Sequence, residues 1–474
     1  MADKHTITPP VYSEAEWRSI RKFLPFIMAT AIFMQMLLTT ILNTALPAIA
    51  ADFGENAVDL QLVIISYVLT LALFIPVSGF LADKYGTKNI FITALLVFAI
   101  GSVFCAVSQT LETLVFSRII QGLGGSLMTP VARLALIRSF PKNQLVRAMN
   151  YAIIPALLGP IVGPILGGYF VDYLHWHYIF WSMVPVALLA VVLSWRYMPD
   201  LYQPNARLDI KGFLLIAAAS LVLTVAFEWM GNPTMLSWVF AGLILGALFF
   251  FSYYKHALSQ SNALFPLLLF QIRTFRIGFF GNLVSRLGIS AVPLLLPLLL
   301  QLPFGQSATT AGWIMAPLAI GAMISKSMVI PVLRRFGYRN VLRINTLVIG
   351  CLIMSMAIPP LGTSIYWFVP MAFVLGVFNS IQFTSMNSIS VSRLRDDITS
   401  SGNSLLALNQ QLAIGFGLSI GLTALRIFDQ TLGQGTGDSH IAFRITFVVV
   451  GLLTALSSLV FRQLHDRDGD NLRA

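Results

Sequence analysis

The chain has 474 residues, of which 57% are hydrophobic and only 10% are charged. Soluble globular proteins carry about 25% charged residues, so this composition excludes an ordinary soluble domain. The formal net charge of +11 does not indicate nucleic-acid binding, because the basic residues are spread over many loops instead of one soluble element.

The N-terminal segment is polar up to residue 22 and ends in Arg18, Arg21 and Lys22. The apolar stretch after it is too long for the h-region of a signal peptide, and no small-residue cleavage site follows it. We therefore interpret residues 1–23 as a cytoplasmic tail and the next segment as an uncleaved first span.

Apolar runs of about 20 residues recur from end to end, which predicts an all-α polytopic membrane protein. Each run is bounded by polar or Gly/Pro-containing segments, which places the loops to within a few residues. The sequence predicts fourteen transmembrane helices, near residues 24–46, 60–82, 89–108, 113–137, 147–171, 177–197, 210–229, 236–255, 277–301, 308–330, 340–360, 365–390, 403–425 and 441–462.

The distribution of Lys and Arg supports this even count. Alternate loops carry clusters of basic residues, and the intervening loops carry almost none, with Arg426 and Arg444 as exceptions. Because Lys and Arg accumulate on the cytoplasmic side of a membrane, both termini are predicted to be cytoplasmic.

A short internal repeat suggests two equivalent halves. The segment "DKYGTKNIF" (83–91) follows predicted helix 2, and "RRFGYRNVL" (334–342) follows predicted helix 10. An aromatic residue, Gly, a basic residue and Asn recur in register. Parallel repeats are typical of transporters, so helices 1–6 and 9–14 are predicted to form two six-helix bundles with helices 7 and 8 inserted between them.

Several motifs, in order along the chain, resemble one family. "GFLADKYGTK" (79–88) resembles the loop motif of the major facilitator superfamily, and "RIIQGLGGS" (118–126) is similar to its helix-4 motif. "GPIVGPILGG" (159–168) resembles its helix-5 antiporter motif. "TTILNTALP" (39–47) and "RLDIKGF" (207–213) resemble the fourteen-helix drug:proton antiporter branch, so the resemblance covers essentially the whole chain.

The resemblance implies the major facilitator fold and export through alternating access. On this basis the domains are expected to be a cytoplasmic tail, an N-terminal bundle, a linker with two extra helices, a C-terminal bundle and a second cytoplasmic tail, at residues 1–23, 24–200, 201–276, 277–462 and 463–474. A monomer in the bacterial inner membrane is expected.

The loop and antiporter motifs carry specific residue expectations. The resemblance implies a conformational latch between the bundles in the outward-facing state, built from Gly79, Asp83, Gly86 and Lys88, whose partner would be the start of helix 13 at Ser401 and Asn403. Ser and Asn are helix-capping types. In the antiporter motif, glycines spaced by four residues form a smooth helix face for a neighbouring backbone, and prolines permit a bend; the residues are Gly159, Gly163, Pro164, Gly167 and Gly168.

Arg118 lies inside helix 4 with Gln121 one turn later. An unpaired arginine in lipid costs at least about 2.5–3.5 kcal/mol on the insertion scale, so it should face the protein interior or a cavity. The resemblance implies proton relay or substrate contact. A structural arginine that bonds backbone carbonyls is the alternative.

Position 38 departs from the family pattern. The drug:proton branch usually has Asp there as its candidate proton carrier, whereas this chain has Leu38. The predicted spans hold no Asp or Glu near their middle, and Glu228 at the outer end of helix 7 comes nearest. Arg286 and Lys326 fall within helices 9 and 10, where each could be structural or part of a site.

This charge inventory predicts an electropositive cavity, which favours an anion through Coulomb attraction. Gln35, Thr39 and Asn43 share one face of helix 1 and would form a neutral lining. Helix 12 offers a similar lining through Asn379, Gln382, Thr384 and Asn387.

The sequence therefore predicts a secondary transporter that exports a small organic molecule, most simply an anionic or polycarboxylate one, with proton exchange. The alternative is a multidrug:proton antiporter for lipophilic cations, with its proton on Glu228 or Asp83. No enzyme is expected, because no ATP-binding motif or clustered nucleophile occurs. No cofactor or metal is expected either, and the "HWH" segment (175–177) is interpreted as part of an interfacial aromatic belt.

Overall fold

The computed structural model describes residues 12–57, 60–141, 155–202, 208–230, 233–260, 263–433, 439–465 and 468–469, with isolated residues between 144 and 152. The described secondary structure is helical. Fourteen helices in these ranges are labelled in chain order: α1 Glu14–Phe53, α2 Gln61–Tyr85, α3 Thr87–Ala106, α4 Leu111–Ser139, α5 Gly159–Tyr173, α6 His177–Tyr197, α7 Ile210–Trp229, α8 Leu236–Ser259, α9 Arg273–Gln301, α10 Ala308–Ser327, α11 Val329–Ser355, α12 Ile365–Val391, α13 Asp396–Phe428 and α14 Ser439–Gln463.

Twelve of these helices are long and apolar enough to cross a membrane. The other two are α5, of which 15 residues are described, and α11, which contains several arginines. The prediction of a polytopic all-α protein is confirmed, whereas the number fourteen is not reached by this criterion. The first residues of the predicted span 147–171 fall partly within 142–154, where several residues lie outside the described structure.

Local capping explains where several helices begin. Ser13 accepts from the backbone of Glu16, whose side chain bonds back to Ser13, so α1 starts ten residues before its predicted apolar run. Thr110 forms the equivalent capping box at α4, and the Ser307 side chain caps α10.

The repeated loop motif has the same backbone conformation in both copies. Gly86 separates α2 from α3 with φ 92° and ψ 142°, and Gly337 interrupts α11 with φ 76° and ψ 157°. A positive φ is costly for residues with a Cβ atom, which explains why both copies have glycine there. The turn between the predicted spans 10 and 11 therefore falls at Gly337.

The predicted start of helix 13 is wrong. The helix begins at Asp396, so Ser401 and Asn403 lie in its second and third turns and cannot cap it. The apolar run on which the prediction rested starts later than the hydrogen-bonded helix, because the first turns are polar.

The contacts among helices are symmetric between the two copies of the repeat. Helices α1 to α6 contact one another, as do α9 to α14, and the main contacts between the groups are α5 with α10 and α2 with α13. Each pair joins the fifth helix of one group to the second helix of the other, so the two pairs are equivalent. Helices α7 and α8 pack on each other, and α7 also contacts α2 and α13.

The two ends of the helical bundle are called the distal end and the terminal end. The distal end holds the last residues of α1, α3 and α5, and the terminal end holds the first residues of α1 and the last residues of α14.

Candidate functional site

The glycine face of α5 packs directly on α1. A Cβ atom added at Gly163 would lie 2.2 Å from the Thr40 hydroxyl oxygen, and one at Gly167 would lie 2.3 Å from the carbonyl oxygen of Ile41. Thr44 Oγ1 lies 3.3 Å from the carbonyl oxygen of Pro164, to which it donates. The antiporter motif thus brings the polar stretch of α1 against α5 at backbone distance.

A second close approach joins the two groups of helices at the distal end. A Cβ atom at Gly168 would lie 2.4 Å from the carbonyl oxygen of Ala308, and one at Gly312 would lie 2.2 Å from that of Pro164. The backbone N–H of Thr309 donates to Asp172 Oδ2 at 2.7 Å. Gln301 Nε2, at the end of α9, also donates to the carbonyl oxygen of Thr44 at 3.1 Å. The two groups of helices are therefore in direct backbone contact at this end.

Arg118 is 1% exposed and lies between α2, α3 and α4. Its Nε donates to the carbonyl oxygen of Val63 at 3.0 Å, and Nη1 donates to Gln121 Oε1 at 2.6 Å. Gln121 Nε2 donates to Ser102 Oγ at 2.8 Å, and the guanidinium lies 4.1 Å from the ring centre of Tyr67. Among the described residues Arg118 has no carboxylate partner. This geometry matches the structural alternative, an arginine that satisfies backbone carbonyls within the N-terminal helices.

Arg286 and Lys326 converge on one aromatic ring of α12. The Arg286 guanidinium lies 4.9 Å from the ring centre of Phe383, and Lys326 Nζ lies 6.0 Å from the same centre. Arg286 Nε donates to Asn282 Oδ1 at 2.6 Å, and Lys326 Nζ donates to Thr384 Oγ1 at 3.1 Å. In the part of the chain that the structure describes, neither base forms an ion pair. Two of the three predicted bases are thus brought together, on the C-terminal helices.

A pocket beside Arg286 is lined by both polar and apolar side chains from α9, α11, α12 and α14, including Asn379. Gln382 lies in its wall, donates to Thr346 Oγ1 at 2.7 Å and accepts from Asn345 at 3.0 Å. Gln382 belongs to the lining predicted on helix 12, whereas Asn345 and Thr346 were not predicted as site residues. Both could have been recognised from the sequence, because they are uncharged polar residues at the start of the apolar run of α11.

The predicted lining of α1 is largely enclosed. Gln35 is 9% exposed and its amide oxygen accepts from the Thr129 hydroxyl of α4. Asn43 is 6% exposed, and the Thr39 hydroxyl donates to the Gln35 carbonyl at 2.6 Å. Leu38 is fully buried, so an acid at this position would lie in an apolar core.

On the C-terminal side, the predicted lining residue Asn387 accepts from Gln410 of α13 at 2.7 Å. Among the described residues, no hydrogen bond joins Asn387 to the polar side chains of α1. The two predicted linings therefore remain separate sets of residues in the described chain.

Glu228 lies at the distal end of α7 and joins three helices. One carboxylate oxygen accepts from Gln61 Nε2 at the start of α2, and the other accepts from Ser419 Oγ of α13 at 3.3 Å. Because α2 and α13 belong to different groups, this single carboxylate of an inserted helix contacts both groups at once.

In this distally closed structure, the loop motif forms an ion pair other than the latch predicted for the outward-facing state. Asp83 lies in the last turn of α2 and forms an ion pair with Arg138 of α4 at 2.7 Å. The described residues show no hydrogen bond or ion pair from Asp83 to Ser401 or Asn403 of α13. Position 79 is open, since a Cβ atom at Gly79 would meet nothing within 4 Å.

Asp200, which follows α6, contacts the loop motif at Gly86 and Lys88. Its Oδ1 accepts from the backbone N–H of Lys88 at 3.2 Å and would lie 2.1 Å from a Cβ atom at Gly86. Asp200 also accepts from the Tyr202 hydroxyl, and this hydrogen bond together with burial raises the pKa of Tyr202 to about 12. Gly86 is therefore needed both for its positive φ and for the approach of this carboxylate.

A bundle of long apolar helices, with equivalent contacts between its two groups and with buried polar side chains, is typical of a polytopic membrane transporter. Solved structures agree with this class at the level of the fold. The chain aligns over 93% of its length with the nucleoside transporter NupG (TM-score 0.66, 14% identity, 99% of that chain). It aligns over 98% with a POT family transporter in complex with 5-aminolevulinic acid (TM-score 0.70, 14% identity, 98% of that chain).

The sequence pattern of the Major Facilitator Superfamily matches residues 28–418 and 278–473. The relative from Pectobacterium carotovorum subsp. carotovorum, "Putative multidrug resistance protein MdtD", is 40% identical over 444 residues, which cover 93% of this chain and 95% of the relative. The protein of that name from Salmonella typhimurium is 39% identical over 453 residues, covering 94% and 96%. The chain belongs to the Major Facilitator Superfamily and is a secondary transporter, not an enzyme. The resemblance drawn from the motifs is confirmed.

Proposed function

We propose that this transporter exports small organic molecules of the multidrug class across the bacterial inner membrane in exchange for protons. The observation that carries the proposal is the antiporter motif, whose glycines lie at backbone distance from α1 and α10. The names of the relatives support a multidrug substrate range. The chain works as a monomer with cytoplasmic termini, so the distal end faces the periplasm.

The proposal includes fourteen spans in two bundles, at 24–200 and 277–462, with α7 and α8 in the linker 201–276. The contact pattern of α5 with α10 and of α2 with α13 supports it, because a pseudo-two-fold arrangement of two bundles requires these equivalent pairs. Helix α5 is counted as a span because its partner α10 spans, and α11 because Gly337 divides it as Gly86 divides α2 from α3.

We assign the exchanged proton to Glu228. Leu38 cannot titrate, and Glu228 is a carboxylate that joins α2 to α13 through Gln61 and Ser419. The ionised form accepts both hydrogen bonds strongly, whereas a protonated carboxyl group loses acceptor strength on one oxygen. Protonation from the periplasmic side would therefore weaken the contact between the bundles at the distal end and favour opening there.

A second candidate concerns the substrate. Arg286 and Lys326 both lie near the Phe383 ring without a carboxylate partner among the described residues. Arg286 lines the pocket and Lys326 lies near its Phe383 wall, and two positive charges attract an anion and repel a cation. This observation favours an anionic substrate such as a polycarboxylate over a lipophilic cation.

Transport into inverted membrane vesicles separates the two candidates. Uptake of a lipophilic cation and of a tricarboxylate is measured for the native protein, Arg286→Gln and Lys326→Gln. Arg335→Gln serves as the control, because Arg335 is an exposed base near Gly337. The multidrug proposal requires cation uptake by the native protein that these neutral variants leave unchanged or improve. Tricarboxylate uptake that both site variants reduce by at least tenfold, with the control unaffected, would establish the second candidate instead.

A further inference from the structure

Asp52, His175 and His177 form a cluster at the distal end of the N-terminal helices. Asp52 lies in the last turn of α1, and the two histidines lie on either side of Trp176 at the start of α6. One ligating atom from each of the three side chains lies within 4.8 Å of the other two. The "HWH" segment was interpreted as an interfacial belt, but its histidines are held by specific contacts.

The contacts of His177 fix which of its ring nitrogens carries a proton. Its Nε2 lies 3.2 Å from the carbonyl oxygen of Ser108, just beyond α3. Because a carbonyl oxygen only accepts, Nε2 must be the protonated nitrogen, and a neutral ring then has its lone pair on Nδ1. That Nδ1 lies 2.6 Å from His175 Nδ1. Metal-binding histidines have this arrangement, in which the other ring nitrogen donates to a backbone carbonyl.

The carboxylate is also oriented by a second contact. Trp176 is 3% exposed, and its Nε1 donates to Asp52 Oδ2 at 2.9 Å. The Trp176 ring stacks on the His177 ring with centres 3.6 Å apart. The indole therefore holds both the carboxylate and one imidazole, and leaves the second oxygen of Asp52 for another partner.

We propose that Asp52, His175 and His177 bind a Zn²⁺ ion, with a water or an anion in the fourth position. Two imidazoles and a carboxylate are a common zinc ligand set, and imidazole nitrogen disfavours Mg²⁺ and Ca²⁺. Ligands of a tetrahedral zinc ion lie about 3.3 Å apart. Asp52 and His175 are exposed, so rotation of their side chains brings the three atoms to this spacing. The ion joins the ends of α1 and α6, with the α3 end held through Ser108.

Zinc binding is tested on the purified full-length protein in detergent, prepared with an affinity tag that contains no histidine. A chromophoric zinc chelator competes for the ion, and binding is measured for the native protein, His175→Ala, His177→Ala and Asp52→Asn. The Asp52→Asn variant keeps an oxygen that accepts from Trp176, and His465→Ala is the control because His465 is exposed at the terminal end.

The native protein and His465→Ala are expected to bind one equivalent of Zn²⁺, and each site variant is expected to bind at least tenfold more weakly. Zinc should raise the thermal unfolding temperature of the native protein, whereas Mg²⁺ should not. Equal zinc binding by the native protein and His175→Ala, or no binding by the native protein, would overturn the site. This inference is independent of the proposed transport function.

Discussion

Adding a methyl group at the seam between α5 and α10 should open the distal end of the transporter. In Gly312→Ala the new methyl carbon would lie 2.2 Å from the carbonyl oxygen of Pro164, and in Gly168→Ala it would lie 2.4 Å from that of Ala308. Both obstacles are backbone atoms, so no side chain can rotate away. The two helices must separate by roughly 1 Å to restore an ordinary contact.

The magnitude follows from this overlap. Overpacking of a close contact costs about 1–3 kcal/mol, and this cost applies only to the distally closed state. Since 1.4 kcal/mol changes an equilibrium tenfold, each variant should shift the population toward the distally open state roughly 5- to 150-fold. Gly415→Ala is the matched control, because a Cβ atom at this glycine of α13 meets nothing within 4 Å.

Spin labels report the state directly. Tyr173 and Leu302 are exposed at the distal end of the two groups of helices, 67% and 48% respectively, and are replaced by labelled cysteines after Cys105 and Cys351 have been changed to serine. Pulsed electron resonance should show a longer distance gaining population in Gly312→Ala and Gly168→Ala, but not in Gly415→Ala. Distance distributions identical to the control in both seam variants would refute the reasoning.

Three further predictions concern the loop motif and position 38. Gly86→Ala should lower the unfolding temperature in detergent more than Gly362→Ala does, because both glycines have positive φ but only Gly86 meets the Asp200 carboxylate; equal losses would show that the approach of Asp200 is unimportant. Asp83→Asn and Arg138→Gln should reduce vesicle transport to a similar extent at matched expression, because each removes the same ion pair, whereas full activity in Asp83→Asn would count against any latch role. Leu38→Asp should lower the unfolding temperature more than Leu38→Met, because a carboxyl group at this fully buried position loses its hydration; an unchanged temperature would show that water reaches the site.

The sequence predicted the helices well because their signal is local. Apolar runs and capping residues lie within the helix itself, so Ile210–Trp229 was predicted with its observed bounds. The Gly86 and Gly337 turns were likewise visible as a repeated motif. The start of α13 was missed because its first turns are polar and carry no apolar run.

The partners of the site residues could not be predicted, because they depend on how each helix is rotated. A helix that is apolar on every face gives no pattern from which that rotation can be read. Thus the sequence left open whether Arg118 contacts a cavity or bonds backbone carbonyls, and only the structure shows it bonding the Val63 carbonyl among α2, α3 and α4. The convergence of Arg286 and Lys326 on Phe383 joins α9, α10 and α12 and has no counterpart in any single segment.

The 3₁₀ turn at Ser325–Ser327 could not be predicted from the sequence either. It places Lys326 in a 3₁₀ turn at the end of α10, directly before α11. Nothing in "MISKSMV" predicts this turn, because the segment contains neither proline nor glycine.

Proton movement through Glu228 tests the central claim most directly. Purified native protein, Glu228→Gln and Glu112→Gln are reconstituted into liposomes that contain a pH-sensitive dye, and proton flux is recorded on addition of a transported drug. Glu112 is the control because it is an exposed carboxylate at the distal start of α4. The account predicts drug-driven proton flux in the native protein and the control, and at least a tenfold loss in Glu228→Gln. Undiminished flux in Glu228→Gln would contradict it.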